Sequence, residues 1–134
     1  MSSEININYV VRPPLTSVEL NLLYEGVWDD HERTDLSKVI DHSLTYVCAY
    51  LDGELVGYVN VAWDGGEHAF LLDTAVHGDL RHRGIGSELV DRAVDDVRGR
   101  GLKWLHVDFE PHLEGFYRNR GFRDTEAGLI RLRD

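Results

Sequence analysis

Between an apolar, strand-like run from Phe70 to Val76 and an amphipathic stretch from Gly84 to Gly99 lies the segment Arg81-His82-Arg83-Gly84-Ile85-Gly86-Ser87. A second strand-like run, Leu102 to Phe109, follows. Strand, helix and strand in that order imply a right-handed crossover with the two strands parallel. The turn itself suits an anion. Gly84 and Gly86 let backbone approach a ligand closely, and the first N–H groups of the helix carry the positive end of its dipole. Arg81 and Arg83 add forked donors suited to phosphate oxygens.

Two familiar phosphate loops do not match this turn. The dinucleotide fingerprint needs a third glycine in G-x-G-x-x-G, and the Walker loop needs G-x-x-x-x-G-K-[ST]. A bare G-x-G also serves as a tight turn with nothing bound. Context strengthens it, because the strand from Leu102 leads through Pro111 into Phe116-Tyr117-Arg118-Asn119-Arg120-Gly121-Phe122. Together the two halves resemble the GNAT superfamily of acyl-CoA-dependent N-acyltransferases, whose pattern is V-x-x-x-x-[RQ]-x-x-G-x-[GA] followed by F-Y-x-x-x-G-F. Val76, Arg81, Gly84, Gly86, Phe116, Tyr117, Gly121 and Phe122 supply the matching positions. The resemblance is specific over Leu71 to Phe122. It identifies a superfamily and no substrate.

The chain has 134 residues, enough for one core and too few for two, so residues 1–134 are read as a single domain. Its 43% hydrophobic content argues against disorder. A formal net charge of −10 argues against phosphate-backbone binding, which needs a basic face, so no nucleic-acid partner is expected. The same charge serves solubility or attracts a cationic amine. Met1-Ser2-Ser3-Glu4-Ile5 lacks a secretory signal pattern, no apolar run reaches the ~20 residues of a membrane span, and the single Cys48 excludes an internal disulfide. A cytoplasmic protein with no membrane partner is the expectation. Cys48 reads as a buried thiol rather than a nucleophile.

Alternation of Ile5, Ile7 and Tyr9 before Val10-Val11 predicts a first strand ending at Pro13-Pro14. Thr16-Ser17-Val18-Glu19 forms a capping box, with Leu15 and Leu20 as a staple, opening a helix through about Tyr24. A short helix follows from Asp35 to His42. The runs Leu44 to Leu51, Leu55 to Trp63 and His68 to Val76, separated by Asp52-Gly53 and Asp64-Gly65-Gly66, predict an antiparallel meander. On the helix from Gly84, an apolar stripe of Ile85, Leu89, Val90, Ala93, Val94 and Val97 lies opposite a Glu88–Arg92 pair. A helix around His112 to Asn119 and a closing strand pair near Phe122 to Asp124 and Leu129 to Leu132 complete the reading. The expected fold is α/β of the α+β type: a mixed, mainly antiparallel sheet of six to seven strands with helices on both faces. The resemblance adds a parallel pair splayed into a V-shaped cleft.

Acetyl transfer from a thioester to an amine needs a polarised carbonyl, a neutral amine and a proton for the thiolate. The resemblance places acetyl-CoA in the cleft as co-substrate, its pyrophosphate on Arg81, His82, Arg83, Gly84, Ile85, Gly86 and Ser87. It puts the pantetheine amides on the backbone of Thr74, Ala75 and Val76, and the general acid at Tyr117, four residues before Gly121. A core tyrosine is the plain alternative for Tyr117. Glu110, just past the strand that carries His106 and Asp108, is the candidate base; a carboxylate capping the helix after Pro111 is the ordinary reading. Asp73 is a weaker candidate. Trp28, Asp29 and Asp30, with His31, would border the acceptor pocket and favour a cationic small molecule or peptide; a solvated loop is the alternative.

Two rivals come from other classes. His106-x-Asp108-x-Glu110 followed by His112 has metal-ligand types, which would make a metal-dependent hydrolase, although no metal is expected. A non-catalytic acyl-CoA sensor on the same fold is the other. The chain is read as a monomer or a homodimer, with Leu129 to Leu132 as an edge that pairs between subunits.

Overall fold

A computed structural model describes residues 5–134. Its strands are β1 (Asn8–Val11), β2 (Thr45–Leu51), β3 (Glu54–Trp63), β4 (His68–Val76) and β5 (Trp104–Val107), and its helices are α1 (Ser17–Glu25), α2 (Ser37–His42), α3 (Ile85–Gly99) and α4 (Glu114–Asn119). The strands lie side by side in chain order, with β1 to β4 antiparallel and β5 parallel to β4. The Asp-Gly signal places the first hairpin: Asp52 (φ 51°) and Gly53 (φ 82°) both take the left-handed conformation that a tight β2–β3 turn requires.

Helices cover both faces, each for a reason visible in its sequence. On one face α3 buries Ile85, Leu89, Val90, Ala93 and Val97 against Val47, Ala49, Val59, Val61, Ala69 and Leu71 of the sheet. Its outer side carries the Glu88–Arg92 pair at 3.0 Å. On the other face α1 packs Leu20, Leu23 and Tyr24 onto Tyr46, Cys48, Tyr58 and Ala75. Thr16 and Glu19 complete the capping box that starts α1. Cys48 is fully buried, and burial pushes its thiol up to about 12, which makes it an inert core residue.

Two expectations are corrected. The sheet has five strands among the described residues rather than six to seven, and no strand forms at Phe122–Asp124 or Leu129–Leu132. Asp124 is tied back to Arg118 of α4 by an ion pair, which draws the chain away from the free edge of β5. Residues 120–127 border an open groove of about 890 Å³ with α3 and β5. Leu129, Ile130 and Leu132 are 89%, 79% and 88% exposed, so the apolar pattern there has nothing to bury against.

The parallel pairing that the crossover predicts is short. His68 to Leu71 pair with Trp104 to Val107, where β5 ends, while β4 runs on to Val76. The edge of β4 facing β5 is therefore unpaired from Leu72 to Val76, and the two strands part into a cleft.

Candidate active site between β4, α3 and α4

Beyond Val76 the chain makes a 3-10 turn over Gly78–Leu80 and enters α3 through Gly84. His82 (φ 64°) and Gly84 (φ 81°) both take left-handed backbone, which bends the segment so that the helix starts facing the opened end of β4. No side chain caps α3, and its first helical bond runs from the Glu88 N–H to the Gly84 carbonyl. The N–H groups of Ile85, Gly86 and Ser87 are thus left for an anion. A Cβ built on Gly86 would lie 3.7 Å from both Val76 Cγ2 and Phe116 Cζ, so this glycine sits where β4, α3 and α4 converge. Arg83 and His82 are exposed beside the turn. Arg81 donates from its guanidinium to the Val27 carbonyl at 3.2 Å, so part of its fork is spent within the protein.

That contact joins the turn to the loop after α1. Gly78 N–H donates to the Gly26 carbonyl at 2.9 Å, and a Cβ on Gly26 would come within 2.5 Å of the His77 ring. Gly26 is a residue that sequence reasoning passed over; its signal is a glycine ending an otherwise well-formed helix. Trp28 packs edge-on to Tyr24 with centroids 4.9 Å apart, and His31 Nε2 lies 2.8 Å from Asn21 Oδ1. Asp29 and Asp30 are exposed, with no ion pair among the described residues.

Tyr117 is buried on α4, its ring stacked on Phe109 at 5.1 Å and edge-on to Phe116 at 4.9 Å and Phe122 at 5.8 Å. The F-Y-x-x-x-G-F spacing thus closes an aromatic cluster, with Gly121 (φ 103°) turning Phe122 back onto Tyr117. Among the described residues the Tyr117 hydroxyl has no hydrogen-bond partner. Glu110 precedes the turn at Pro111, but its exposed carboxylate makes no capping bond, so the ordinary reading of that residue does not hold.

The metal-type spacing on β5 is not realised as a site. Among the described residues no three His, Cys, Asp or Glu side chains converge to hold an ion. His106 turns to His68, ring nitrogens 2.7 Å apart, and stacks on Phe70 with centroids 4.7 Å apart. The backbone partly explains this, because Phe70 faces His106 in the β4–β5 register and His68 lies two residues away on the same face.

Asp73 emerges from the structure more strongly than from the sequence. Ala75 pairs with Tyr58 and Leu72 with Asn60, so Val59 opposes two residues and β4 bulges at Asp73-Thr74. Asp73 adopts φ 58°, a strained value for a non-glycine residue, and its side chain turns to the α1 face toward Asn60, Tyr58 and Tyr24. Its surface is open to solvent, yet it is ringed closely enough that burial holds its carboxyl above the usual range, opposed by a hydrogen bond with Asn60. Beneath it, Ser43 Oγ donates to Asn60 Oδ1 at 2.5 Å and lies beside the fully buried Tyr58 hydroxyl.

Residues 16–122 match the sequence pattern of the Acetyltransferase (GNAT) family. A curated relative, the chloroplastic serotonin N-acetyltransferase 2 of Oryza sativa subsp. japonica, is 34% identical over 122 residues, covering 85% of this chain; the chain spans 61% of that protein's length. A GNAT family acetyltransferase of Streptococcus pneumoniae superposes with a TM-score of 0.79 at 22% identity, covering 96% of this chain and all of the other. One from Brucella melitensis, solved in complex with acetyl-CoA, superposes at 0.72 with 16% identity, covering 90% and 85%. No helix among the described residues is long and apolar enough to cross a membrane. The match over most of the chain, on a sheet whose parallel strands part beside an uncapped helix, shows that this chain belongs to the GNAT acetyltransferase family.

Proposed function

We propose that the protein transfers an acetyl group directly from acetyl-CoA to a primary amine. The observation that carries this reading is the free β4 edge from Leu72 to Val76 leading to the uncapped start of α3. Such an edge pairs with the amides of an extended pantetheine arm, and the N–H groups of Ile85, Gly86 and Ser87 receive the pyrophosphate. Thr74, Ala75 and Val76 supply the edge; His82 and Arg83 flank the phosphates, and Arg81 holds the turn to the α1 loop while keeping donors for the ligand.

In the reaction, an ammonium group first loses one proton and becomes a nucleophile. Its nitrogen attacks the thioester carbon, the C–S bond breaks, and the thiolate takes a proton, while the nitrogen sheds a second one. Tyr117 donates to the thiolate. Its ring is locked by Phe109, Phe116 and Phe122, and its hydroxyl is uncommitted among the described residues. That freedom favours an enzyme over a mere sensor of acyl-CoA. Glu110 is proposed as a route for the second amine proton through water, its carboxylate being exposed three residues beyond the end of β5. The rice relative's name places its acetyl group on serotonin, which supports an amine acceptor here. Release of free thiol from acetyl-CoA across a panel of primary amines tests the reading; absence of turnover with every amine class, despite tight acetyl-CoA binding, would favour the sensor.

A further inference from the structure

The face of β4 and β5 on the α1 side is uncovered where it leaves the helices. Phe70 and Leu72 of β4 point there at 39% and 40% exposure, and the His106 ring lies flat on Phe70. His68 extends the same surface through its contact with His106. At the inner end of this floor the bulge presents Asp73, next to Leu72 and within the stretch of β4 whose β5-side edge is free. Tyr24 of α1 lies near Asp73, and Trp28 of the following loop packs edge-on against Tyr24. An apolar floor ending in one carboxylate is complementary to a molecule with an apolar body and one cationic end.

We propose that the acceptor amine binds on this face, its ammonium at the Asp73 carboxylate and its body over Leu72, Phe70 and His106, so that the protein prefers arylalkylamines to polar diamines. The inference rests on the acetyltransferase reading above and gives it an acceptor class and a subsite. Spacing sets the length of the molecule. From Asp73 to the midpoint of Leu72 and Phe70 is about two residues, roughly 7 Å at 3.3 Å per residue, the reach of a short alkyl linker between amine and ring. Position sets the chemistry. The amine enters from the sheet face and the thioester along the strand edge, so both meet at the bulge. Asp73 takes one proton from the ammonium, leaving a neutral amine beside the thioester carbon. The strained backbone at Asp73 fits this role, because it aims the carboxylate at the face where a regular strand would not.

The test compares 2-phenylethylamine, n-propylamine and 1,4-diaminobutane at saturating acetyl-CoA, in the wild type and in Asp73→Asn, Phe70→Ser and Leu72→Ser. We expect kcat/KM for 2-phenylethylamine at least tenfold above the other two. Asp73→Asn should raise KM at least tenfold for 2-phenylethylamine with the Kd of acetyl-CoA unchanged. Phe70→Ser and Leu72→Ser should lower kcat/KM for 2-phenylethylamine more than for n-propylamine and so erode the preference for the aromatic amine. A preference for 1,4-diaminobutane that disappears in Asp29→Asn with Asp30→Asn would overturn the proposal, as would an unchanged acceptor KM in Asp73→Asn. Calorimetric binding of 2-phenylethylamine to the protein saturated with CoA separates the two readings. Binding that Asp73→Asn abolishes supports the subsite even if no amine is acetylated, which would sink the transferase reading alone; no binding by the wild type sinks the subsite.

Discussion

On the side of the cleft proposed for the cofactor, one continuous segment, residues 72–87, supplies the edge of β4, the turn and the first N–H groups of α3. On the side proposed for the amine, Tyr24 of α1, Tyr58 and Asn60 of β3, Asp73 of β4 and His106 of β5 come from across the chain. Backbone groups make the first site and side chains the second. A ligand held by backbone needs only glycines and a helix start, whereas recognition of an acceptor depends on which side chains a tertiary fold happens to bring together. The first therefore leaves a spaced motif in sequence, and the second leaves almost none.

Removing the side chain proposed to protonate the leaving thiolate should give the largest effect. Tyr117→Phe keeps the ring among Phe109, Phe116 and Phe122 and should leave folding and the Kd of acetyl-CoA unchanged while turnover falls by about 10² to 10⁴, the span of a lost general acid. Steady-state thiol release beside calorimetry checks it, and wild-type turnover would return Tyr117 to a packing role. The backbone site is next in size. Gly86→Asp should raise the Kd of acetyl-CoA at least tenfold by setting a carboxylate beside the free N–H groups. The built Cβ meets Val76 and Phe116 only at ordinary contact distance, so the fold should survive and isolate the charge effect. Unchanged affinity would remove the pyrophosphate from this turn.

The same contrast governs what the sequence disclosed. The meander, the capping box, the apolar stripe of α3 and the parallel pair were legible because each rests on period or on a turn residue within a few positions, as Asp52-Gly53 does. The closing strands were not. Leu129 to Leu132 carry a strand-like composition, but a strand needs a partner, and none is set by local pattern. His106 read as a ligand because spacing is visible and the competing partner, His68, lies 38 residues away. Asp73 was undervalued because alternation along β4 assigns it the wrong face; only the bulge at Val59, set by pairing with β3, turns it toward α1.

A smaller effect separates two sources of negative charge on the amine side. Asp29 and Asp30 sit exposed in the loop after α1, where solvent screens them, whereas Asp73, also open to solvent, is ringed by Asn60, Tyr58 and Tyr24. Asp29→Asn with Asp30→Asn should raise the acceptor KM by no more than about threefold, through weaker long-range attraction of a cation by a chain of net charge −10, and ~0.5 M salt should erase the difference. A tenfold, salt-resistant change would move the acceptor's cationic end from Asp73 to this loop.

The smallest effect is on stability, and its sign distinguishes a carboxylate kept for a ligand from one that holds the fold together. Burial raises the Asp73 carboxyl above its unfolded value, more than the Asn60 bond lowers it, while Tyr58 and Tyr24 face it with neutral hydroxyls and no cation. A raised acid binds its proton more tightly in the folded state, so stability falls as pH rises from the unfolded value near ~3.9 to the folded one, and stays lowered above it. Asp73→Asn removes that cost. The variant should match the wild type at pH 3, where both side chains are neutral, and melt higher at pH 7, even as it loses acceptor binding. Thermal melts at the two pH values read the difference directly. A variant that melts lower at pH 7 and equal at pH 3 would mean that the ionised carboxylate is satisfied within the fold, and Asp73 would then be a structural residue of the bulge rather than the seat of an amine.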